Sequence, residues 1–446
     1  MYVKNQKFLI IGASKSGFAV AKYLVDNNAF CRVYEEMKSA KAVQAIDRLK
    51  TLGIENLSRE QAENTIKEID VLVLSPGVPI NHELAVKAKQ MGKRIMGEME
   101  FAYAAMVPPI IAVTGTNGKT TTVTMIDEIL ESAGVKRELV GNVGVPTTAK
   151  LNDIDRETVC ITEVSSFQLE SINSFCPHIS CVLNISPDHL ERHYTMENYI
   201  YLKKRIFKNQ KESEYCVLNF DDQTVKNFYT ECKAKIVWVS VKGKVDGAYL
   251  DRGKLYYNNE YIFDAQDLML AGEHNIQNAL FAIACAKLLG INTTEIASAL
   301  KGFKGVKHRV EFVKEKYGVE YYNDSKATNT ASTIVALDCM KKPTVLILGG
   351  SEKGEDYNLL FEKIKNSIVK RVIICGASRF NMFEAAKKNG VENITLTDDF
   401  FVAIKIAKLL SCEGDAVLLS PACASYDLFN GFEDRGNAFI NAVGEL

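Results

Sequence analysis

Lys119 and Thr120 close a glycine-bearing stretch, IIAVTGTNGKTTT, over residues 110–122. An apolar run, a loop of Gly115, Thr116, Asn117 and Gly118, then a lysine and hydroxyls opening a helix is an arrangement for holding a nucleoside triphosphate. Backbone N–H groups of such a loop, with the helix N-terminus behind them, cradle phosphate oxygens. The lysine reaches the β and γ phosphates, and the Thr120 hydroxyl, with Thr121 beside it, is placed to ligate Mg²⁺. In the usual pattern G-x-x-x-x-G-K-[ST] the first glycine falls at position 113, where this chain has Val113. Gly115 lies two residues later, so the turn is expected to be reshaped, not lost.

A Mg-triphosphate site needs a carboxylate at a neighbouring strand end. Glu163 follows the apolar run of TVCITEVSSFQLE, and Asn142 in GNVGVP follows another strand-like run. NISPDHLERH adds Asp188, His189 and His193, two of the chain's six histidines within five residues. His189 is read as a metal ligand or substrate contact, and His193 as a surface or capping residue. In ENYIYLKKRIF, Tyr199, Leu202, Lys203 and Ile206 share one helix face at about 100° per residue, and Lys204 points away. A lysine on such a face ordinarily snorkels at the core edge. The alternative is a partly buried amine of lowered pKa, which reacts with carbon dioxide to give a carbamate able to orient a metal. The residues alone leave both open.

Two further groups of polar residues follow apolar runs. GASKSG, Gly12 to Gly17, has the frame of a dinucleotide fingerprint with Ser14 at the second glycine, and Glu35 at the next strand end suits a ribose hydroxyl. A tight turn without a ligand fits that frame equally, and a redox dinucleotide fits it less well. In the last third, HRVEF supplies Arg309, a candidate to reach a phosphate. YYNDSKATN supplies Asp324, suited to ribose hydroxyls, and Thr328. LGGSEKGED supplies Lys353, and SPACASYDLFNGFEDRGNAF supplies Ser425 and Phe432. Their repeated place after strands suggests a second substrate cradle.

The elements that must position these residues follow one rhythm. An apolar run ends in a Gly, Ser or Asp turn, and an amphipathic helix follows, the mark of a parallel sheet covered by helices. Ligands gather at the C-terminal ends of such strands. The rhythm predicts an α/β protein of three domains. Residues 1–97 form a Rossmann-like domain. Residues 98–305 form a central P-loop-type mononucleotide-binding domain with a small antiparallel patch over 235–270. Residues 306–446 form a second Rossmann-like domain. A helix is expected from about Asn275 to Leu289.

Composition narrows the classes. The 446 residues are 47% hydrophobic, and 54 basic residues nearly cancel 55 acidic ones. No block of like charge argues for nucleic acid or a membrane surface. Eleven scattered cysteines show no C-x-x-C pair, which fits reduced thiols. No run approaches the ~18 apolar residues of a membrane span. A soluble cytoplasmic monomer is expected.

The order of GTNGKT, SSFQLE, DHLERH, the helix with Lys203, GEHNIQNA, HRVEF, NDSKATN, LGGSEKG and SPACASYDLFNGFEDRGNAF resembles the Mur ligase family of peptidoglycan synthesis. SSFQLE and SPACAS…F…RGN point to its D-glutamate-adding branch. No D-N-P-R motif of the diaminopimelate- or lysine-adding relatives is present. The resemblance implies ATP-dependent joining of D-glutamate to UDP-N-acetylmuramoyl-L-alanine through an acyl phosphate. It implies that Lys15, Ser16, Glu35 and the Ser75-Pro76-Gly77 turn bind the UDP part. It gives the ATP site to the 115–121 loop, Asn278, Arg309 and Asp324. Asn142 and His189 meet the muramoyl-alanine, and Thr120, Glu163, His189 and Lys203 serve two Mg²⁺ ions, with Lys203 carbamylated. Thr328, Lys353, Ser425 and Phe432 hold D-glutamate. Lys119, His189, Lys203 and Arg309 carry the catalytic roles. Ser14 departs from the glycine common in relatives. Folylpolyglutamate-type ligases share the loop, but lack the N-terminal uridine-binding domain. A nucleotide-binding oxidoreductase is the rival from another class, and a P-loop switch protein is a third.

Overall fold

The fold is described from a computed structural model covering residues 3–36, 40–106, 108–270, 272–352 and 356–446. The chain divides into two compact units, one of residues 1–269 and 273–303, the other of 270–272 and 304–446. The first unit carries two sheets and the second carries one.

The N-terminal sheet has β1 (Lys7–Ile11), β2 (Phe30–Tyr34), β3 (Val71–Leu74) and β4 (Arg94–Gly97), in the order β2-β1-β3-β4. All its pairs are parallel. The wholly apolar β3 (VLVL) is buried along its length, as a strand covered on both faces must be. β1 neighbours both β2 and β3, so the chain leaves it to one side and returns on the other. Such a reversal opens a crevice at the strand ends, and Gly12 and Ser75 stand there.

The second sheet has nine strands: β5 (Ile110–Thr114), β6 (Arg137–Gly141), β7 (Val159–Glu163), β8 (Ile179–Val182), β9 (Tyr215–Asn219), β10 (Lys235–Ser240), β11 (Gly247–Asp251), β12 (Lys254–Tyr257) and β13 (Glu260–Asp264). Their order is β13-β12-β11-β10-β9-β8-β5-β7-β6. β5 to β11 pair in parallel, and only β11-β12-β13 are antiparallel. The antiparallel patch expected over 235–270 therefore begins later, at β11, and continues the large sheet. Lys235–Ser240 (KIVWVS) is an apolar run that joins the parallel part instead. The phosphate-loop strand β5 lies between β8 and β7, where the chain again reverses direction.

The sheet of the second unit has β14 (Glu311–Lys316), β15 (Val319–Asn323), β16 (Thr344–Gly349), β17 (Val369–Cys375), β18 (Ile394–Leu396) and β19 (Ala416–Leu419). The order is β14-β15-β19-β16-β17-β18, with only β14-β15 antiparallel. Buried residues on its two faces form two separate clusters, one around Leu346, Leu348 and Phe361, the other around Val345, Ile347 and Phe439. Alternate residues of β16 thus serve opposite faces, as the strand period of two requires.

Candidate active site

The loop after β5 is built by two glycines that no other residue replaces without movement. Gly115 has φ 155°, and a Cβ there would lie 2.9 Å from the Leu183 Cβ. Gly118 has φ 86°, and a Cβ there would lie 2.4 Å from the Asn278 Oδ1. Val113 is fully buried in the strand, so the bend is carried by Gly115. Asn184, two residues past β8, fastens the loop. The Thr116 N–H donates to the Asn184 carbonyl at 3.0 Å, and the Asn117 N–H donates to the Asn184 Oδ1 at 2.9 Å. The Lys119 Nζ lies over its own loop, donating to the carbonyls of Gly115 at 2.8 Å and Thr116 at 2.7 Å. Asn278, on the helix Glu273–Leu288, accepts from the Thr122 hydroxyl at 3.3 Å and closes the far side of the loop.

A line of side chains crosses three adjacent strand ends. The Thr120 hydroxyl donates to the Glu163 Oε2 at 2.7 Å, and the Asn142 amide donates to the Glu163 Oε1 at 2.8 Å. Thr120 and Glu163 are buried, and Asn142 is exposed. Thr120 and Glu163 offer hard oxygen donors side by side, which suits Mg²⁺. Among the described residues no three His, Cys, Asp or Glu side chains form a metal cage. Mg²⁺ keeps several waters and shares substrate phosphates, so so sparse a protein set fits it.

Lys203 is buried with Tyr199, Leu202 and Ile206, on the face the periodicity predicts. It does not snorkel. Its Nζ donates to the Gly115 carbonyl at 2.7 Å and lies 4.7 Å from the Tyr199 ring centre. Burial holds the amine well below the usual lysine range, and the Lys119 charge pushes the same way; Asp188 and Glu163 oppose both. Tyr199 in turn shares a hydrogen bond of 3.1 Å with the Thr116 hydroxyl. One helix thus supports the phosphate loop from beneath at two points.

His189 is exposed, with a left-handed φ of 54° and its Nε2 3.6 Å from Asp188 Oδ2. His193 overturns its expected surface place. It is buried against the Phe167 and Tyr199 rings, with its Nε2 2.9 Å from the Ser166 hydroxyl. Burial lowers its pKa. Its spacing from His189 carries no sign of this, because it depends on Phe167 and Tyr199 arriving from elsewhere.

At the N-terminal sheet, the Ser75 hydroxyl donates to the Gly12 carbonyl at 2.9 Å. Gly17 fits only because it has no side chain, since a Cβ would lie 1.8 Å from that carbonyl oxygen. The Glu35 Oε2 accepts from the Ala13 N–H at 2.8 Å. The turn, Glu35 and Ser75 therefore meet at one crevice. Lys15 is exposed and Ser16 is half-buried at the start of the helix Lys15–Asp26. Gly77 accepts at 3.4 Å from Arg192, which also grips Glu170 through two bonds of 2.7 and 3.0 Å.

Matches to three family models cover most of the chain. They are a MurD-like N-terminal domain of Mur ligases over residues 6–97, the Mur ligase middle domain over 113–286, and the Mur ligase glutamate ligase domain over 308–423. The chain belongs to the Mur ligase family. Similar Mur ligases include the UDP-N-acetylmuramoylalanine–D-glutamate ligase of Caldanaerobacter subterraneus subsp. tengcongensis, 41% identical, with all of both chains covered. The protein of the same description from Clostridioides difficile is 40% identical, again over all of both chains. Among solved Mur ligases, the UDP-N-acetylmuramate–alanine ligase of Thermotoga maritima shares the fold with a TM-score of 0.64 at 18% identity, covering 99% of this chain and 100% of that one. The MurF ligase of Thermotoga maritima, solved with ADP, has a TM-score of 0.62 at 15% identity, covering 100% of this chain and 99% of that one.

In the second unit of this Mur ligase, Asp324 is buried at the end of β15. Its Oδ2 accepts from the Ser420 hydroxyl at 2.7 Å and its Oδ1 from the Val310 N–H at 3.2 Å. Arg309 lies close enough for its charge to favour the ionised carboxylate, and its Nε is buried with no hydrogen-bond partner among the described residues. Thr328 is half-buried, Ser425 is buried, and Phe432 begins the helix Phe432–Glu445. Lys353 lies outside the described residues. Arg435 received no role from the sequence, yet it is buried and donates to Ser325, Cys423, Ala424 and Gly349. It ties three strand-end loops around Ser425 and Phe432. The RGN of the last motif is its only sequence signal.

Asp324 gives a pH prediction. Burial raises its pKa from 3.8 to about 7, against the opposing Ser420 bond and Arg309 charge. Between those values the folded chain keeps a proton that the unfolded chain has lost. Stability contributed here therefore falls as pH rises from 3.8, and the loss is complete above about 7. Asp324→Asn removes this dependence. Melting midpoints between pH 4 and 8 should show the variant gaining on the parent as pH rises; a constant difference would contradict the assignment.

Proposed function

We propose that the protein is an ATP-dependent ligase that joins D-glutamate to UDP-N-acetylmuramoyl-L-alanine. The observation that carries this reading is the line Thr120–Glu163–Asn142 beside Lys119, with a buried Lys203 under the loop. Full-length relatives at about 40% identity bear the matching description. A phosphate loop alone would fit any nucleotide hydrolase.

A carboxylate is a poor acylating agent and must first be activated. ATP would lie along the loop, with its phosphates on the N–H groups that open the helix Lys119–Ser132, since those of Thr116 and Asn117 are taken by Asn184. The terminal carboxylate of the muramoyl-alanine attacks the γ-phosphorus, and ADP leaves. Lys119 stabilises the charge that spreads over the transferred group. Asn142 and His189, both exposed at the site, orient the muramoyl-alanine. The D-glutamate amine then attacks the acyl phosphate, and phosphate leaves as the amide forms. Thr328, Ser425 and Phe432 hold the incoming amino acid, Arg309 meets the phosphates, Asp324 the ribose, and Asn278 backs the loop.

Thr120 and Glu163 would hold Mg²⁺, which when bound neutralises phosphate oxygens. Lys203 condenses with carbon dioxide: the neutral amine becomes a carbamate and releases one proton. That anion, with His189, would serve a second ion. The N-terminal crevice of Lys15, Ser16, Glu35, Ser75 and Gly77 takes the uridine diphosphate end. Residues 1–97 thus act as the UDP-substrate domain, 98–305 as the ATP domain and 306–446 as the amino-acid domain. No described helix is long and apolar enough to cross a membrane.

Phosphate release from ATP is the test, with UDP-muramoyl-alanine and a panel of amino acids. Release that requires D-glutamate is expected. Equal turnover with ATP alone would overturn the proposal.

A further inference from the structure

The helix Glu98–Ala105 leaves β4, the edge strand of the N-terminal sheet, and carries two acidic residues that are almost completely buried. Burying a carboxylate is costly unless its oxygens are well satisfied, so each must be explained. Residues two apart on a helix point about 200° apart, and Glu98 and Glu100 accordingly reach opposite sides. The Glu98 Oε1 accepts from the Thr148 N–H at 2.7 Å and the Thr148 hydroxyl at 2.6 Å. Its Oε2 is buried with no hydrogen-bond partner among the described residues, and burial raises the pKa of the group against the Thr148 bonds, so this arm is the less fully satisfied of the two. Glu100 accepts from the N–H groups of Asn173 at 2.9 Å, Ser174 at 2.7 Å and Phe175 at 3.0 Å, and from the Ser174 hydroxyl at 2.5 Å.

These partners are not arbitrary. Thr148 lies just beyond the segment that carries Asn142. Residues 173–175 follow the segment that carries Glu163 and SSFQLE. Asn142 and Glu163 are themselves joined, by the side-chain bond and by the Asn142 N–H to the Glu163 carbonyl at 2.9 Å. Immediately before Glu98, Gly97 lies so close to Ser171 that a Cβ would sit 2.1 Å from its hydroxyl. The ligand edge of the N-terminal sheet is thus fastened to both segments that bracket the Thr120–Glu163–Asn142 line.

We propose that Glu98 and Glu100 form a two-armed latch that fixes the uridine-end crevice relative to the phosphoryl-transfer site. This rests on the reading above, in which one substrate spans both. A long substrate held at its uridine end delivers its carboxylate efficiently only if the distance between the two places is rigid. Binding at one end then raises the effective concentration of the other at the reacting centre. Glu98 and Glu100 are positioning residues and touch no reacting atom.

The test compares the whole substrate with N-acetylmuramoyl-L-alanine, which lacks the uridine diphosphate. For the parent enzyme, kcat/KM should be far higher with the whole substrate. In Glu100→Ala and Glu98→Ala that advantage should shrink about tenfold or more, while kcat/KM for the short substrate and KM for ATP stay unchanged. Glu100→Gln, which keeps an acceptor oxygen, should recover part of the advantage. A merely structural role would lower both substrates together, track the melting midpoint, and overturn the proposal. An unchanged advantage in folded variants overturns it too. If the alanine variants do not fold, Glu98→Gln and Glu100→Gln decide it by the same ratio. A parent enzyme that uses neither substrate with D-glutamate overturns the functional reading itself.

Discussion

Lys203→Ala should lose about 10³-fold or more of kcat, and millimolar formate, acetate or propionate should restore part of it. The physical case begins with burial. An ammonium this deep must shed its hydration, and its one hydrogen-bond partner among the described residues, the Gly115 carbonyl, is neutral. Lys119 adds a repulsive charge. Both favour the uncharged amine, the form that attacks carbon dioxide. Its amine is held between the Tyr199 ring and the Gly115 carbonyl, so the product carboxylate has a fixed position. Alanine leaves a space the length of that side chain, into which a short acid carries a carboxylate. The melting midpoint separates this from simple damage. Loss of buried side-chain volume should lower it, by an amount typical of large-to-small replacements, about 2–4 kcal/mol in stability. Added acid should restore rate much more than midpoint. Full activity in the variant, or rescue that only follows the midpoint, would end the carbamate reading.

The sequence made this helix face legible because periodicity is a local property. Tyr199, Leu202, Lys203 and Ile206 are buried together as their spacing requires. The depth of Lys203 was not legible, since it is set by the phosphate loop arriving from 88 residues away in the chain. Glu163 shows the same division. Its place at a strand end follows from the apolar run before it, but its two partners come from the helix after β5 and from just past β6, and strand order is a non-local fact. His193 and Arg435 lie at the far end of this scale. Their burial depends on rings or carbonyls contributed by several loops, and nothing in their immediate neighbours signals it. The strands β6 and β18 are likewise weak in sequence. β6 (RELVG) and β18 (ITL) are short or polar, and pairing with stronger neighbours decides them.

Motif order carried information of another kind. Val113 stands where the usual phosphate loop has its first glycine. The structure shows a strand residue buried on both sides, with the bend moved to Gly115 and the loop secured by Asn184. Asn184 drew no attention in the sequence because an asparagine after an apolar run has many uses. Its double contact, accepting at both its carbonyl and its side chain, explains how a loop with one glycine fewer stays ordered.

Lys119→Ala should be the other near-silent variant, with kcat lower by roughly 10³-fold or more and KM for ATP raised. Its amine holds two carbonyls of the loop, Gly115 and Thr116. The same carbonyl of Gly115 receives Lys203. The two lysines therefore converge on one peptide, and removing Lys119 does two things. It takes away the cation that meets charge developing on the transferred phosphoryl group. It also removes the repulsion that helps keep Lys203 neutral. Lys119→Arg does not substitute, because a planar fork cannot reproduce a compact ammonium seated between two carbonyls. Steady-state kinetics on both variants, with isothermal titration of ATP, tests this. Lys119→Arg at near-parental kcat would show that charge alone suffices there. ATP affinity unchanged in Lys119→Ala would show that the amine stays on its own loop and never reaches the phosphates.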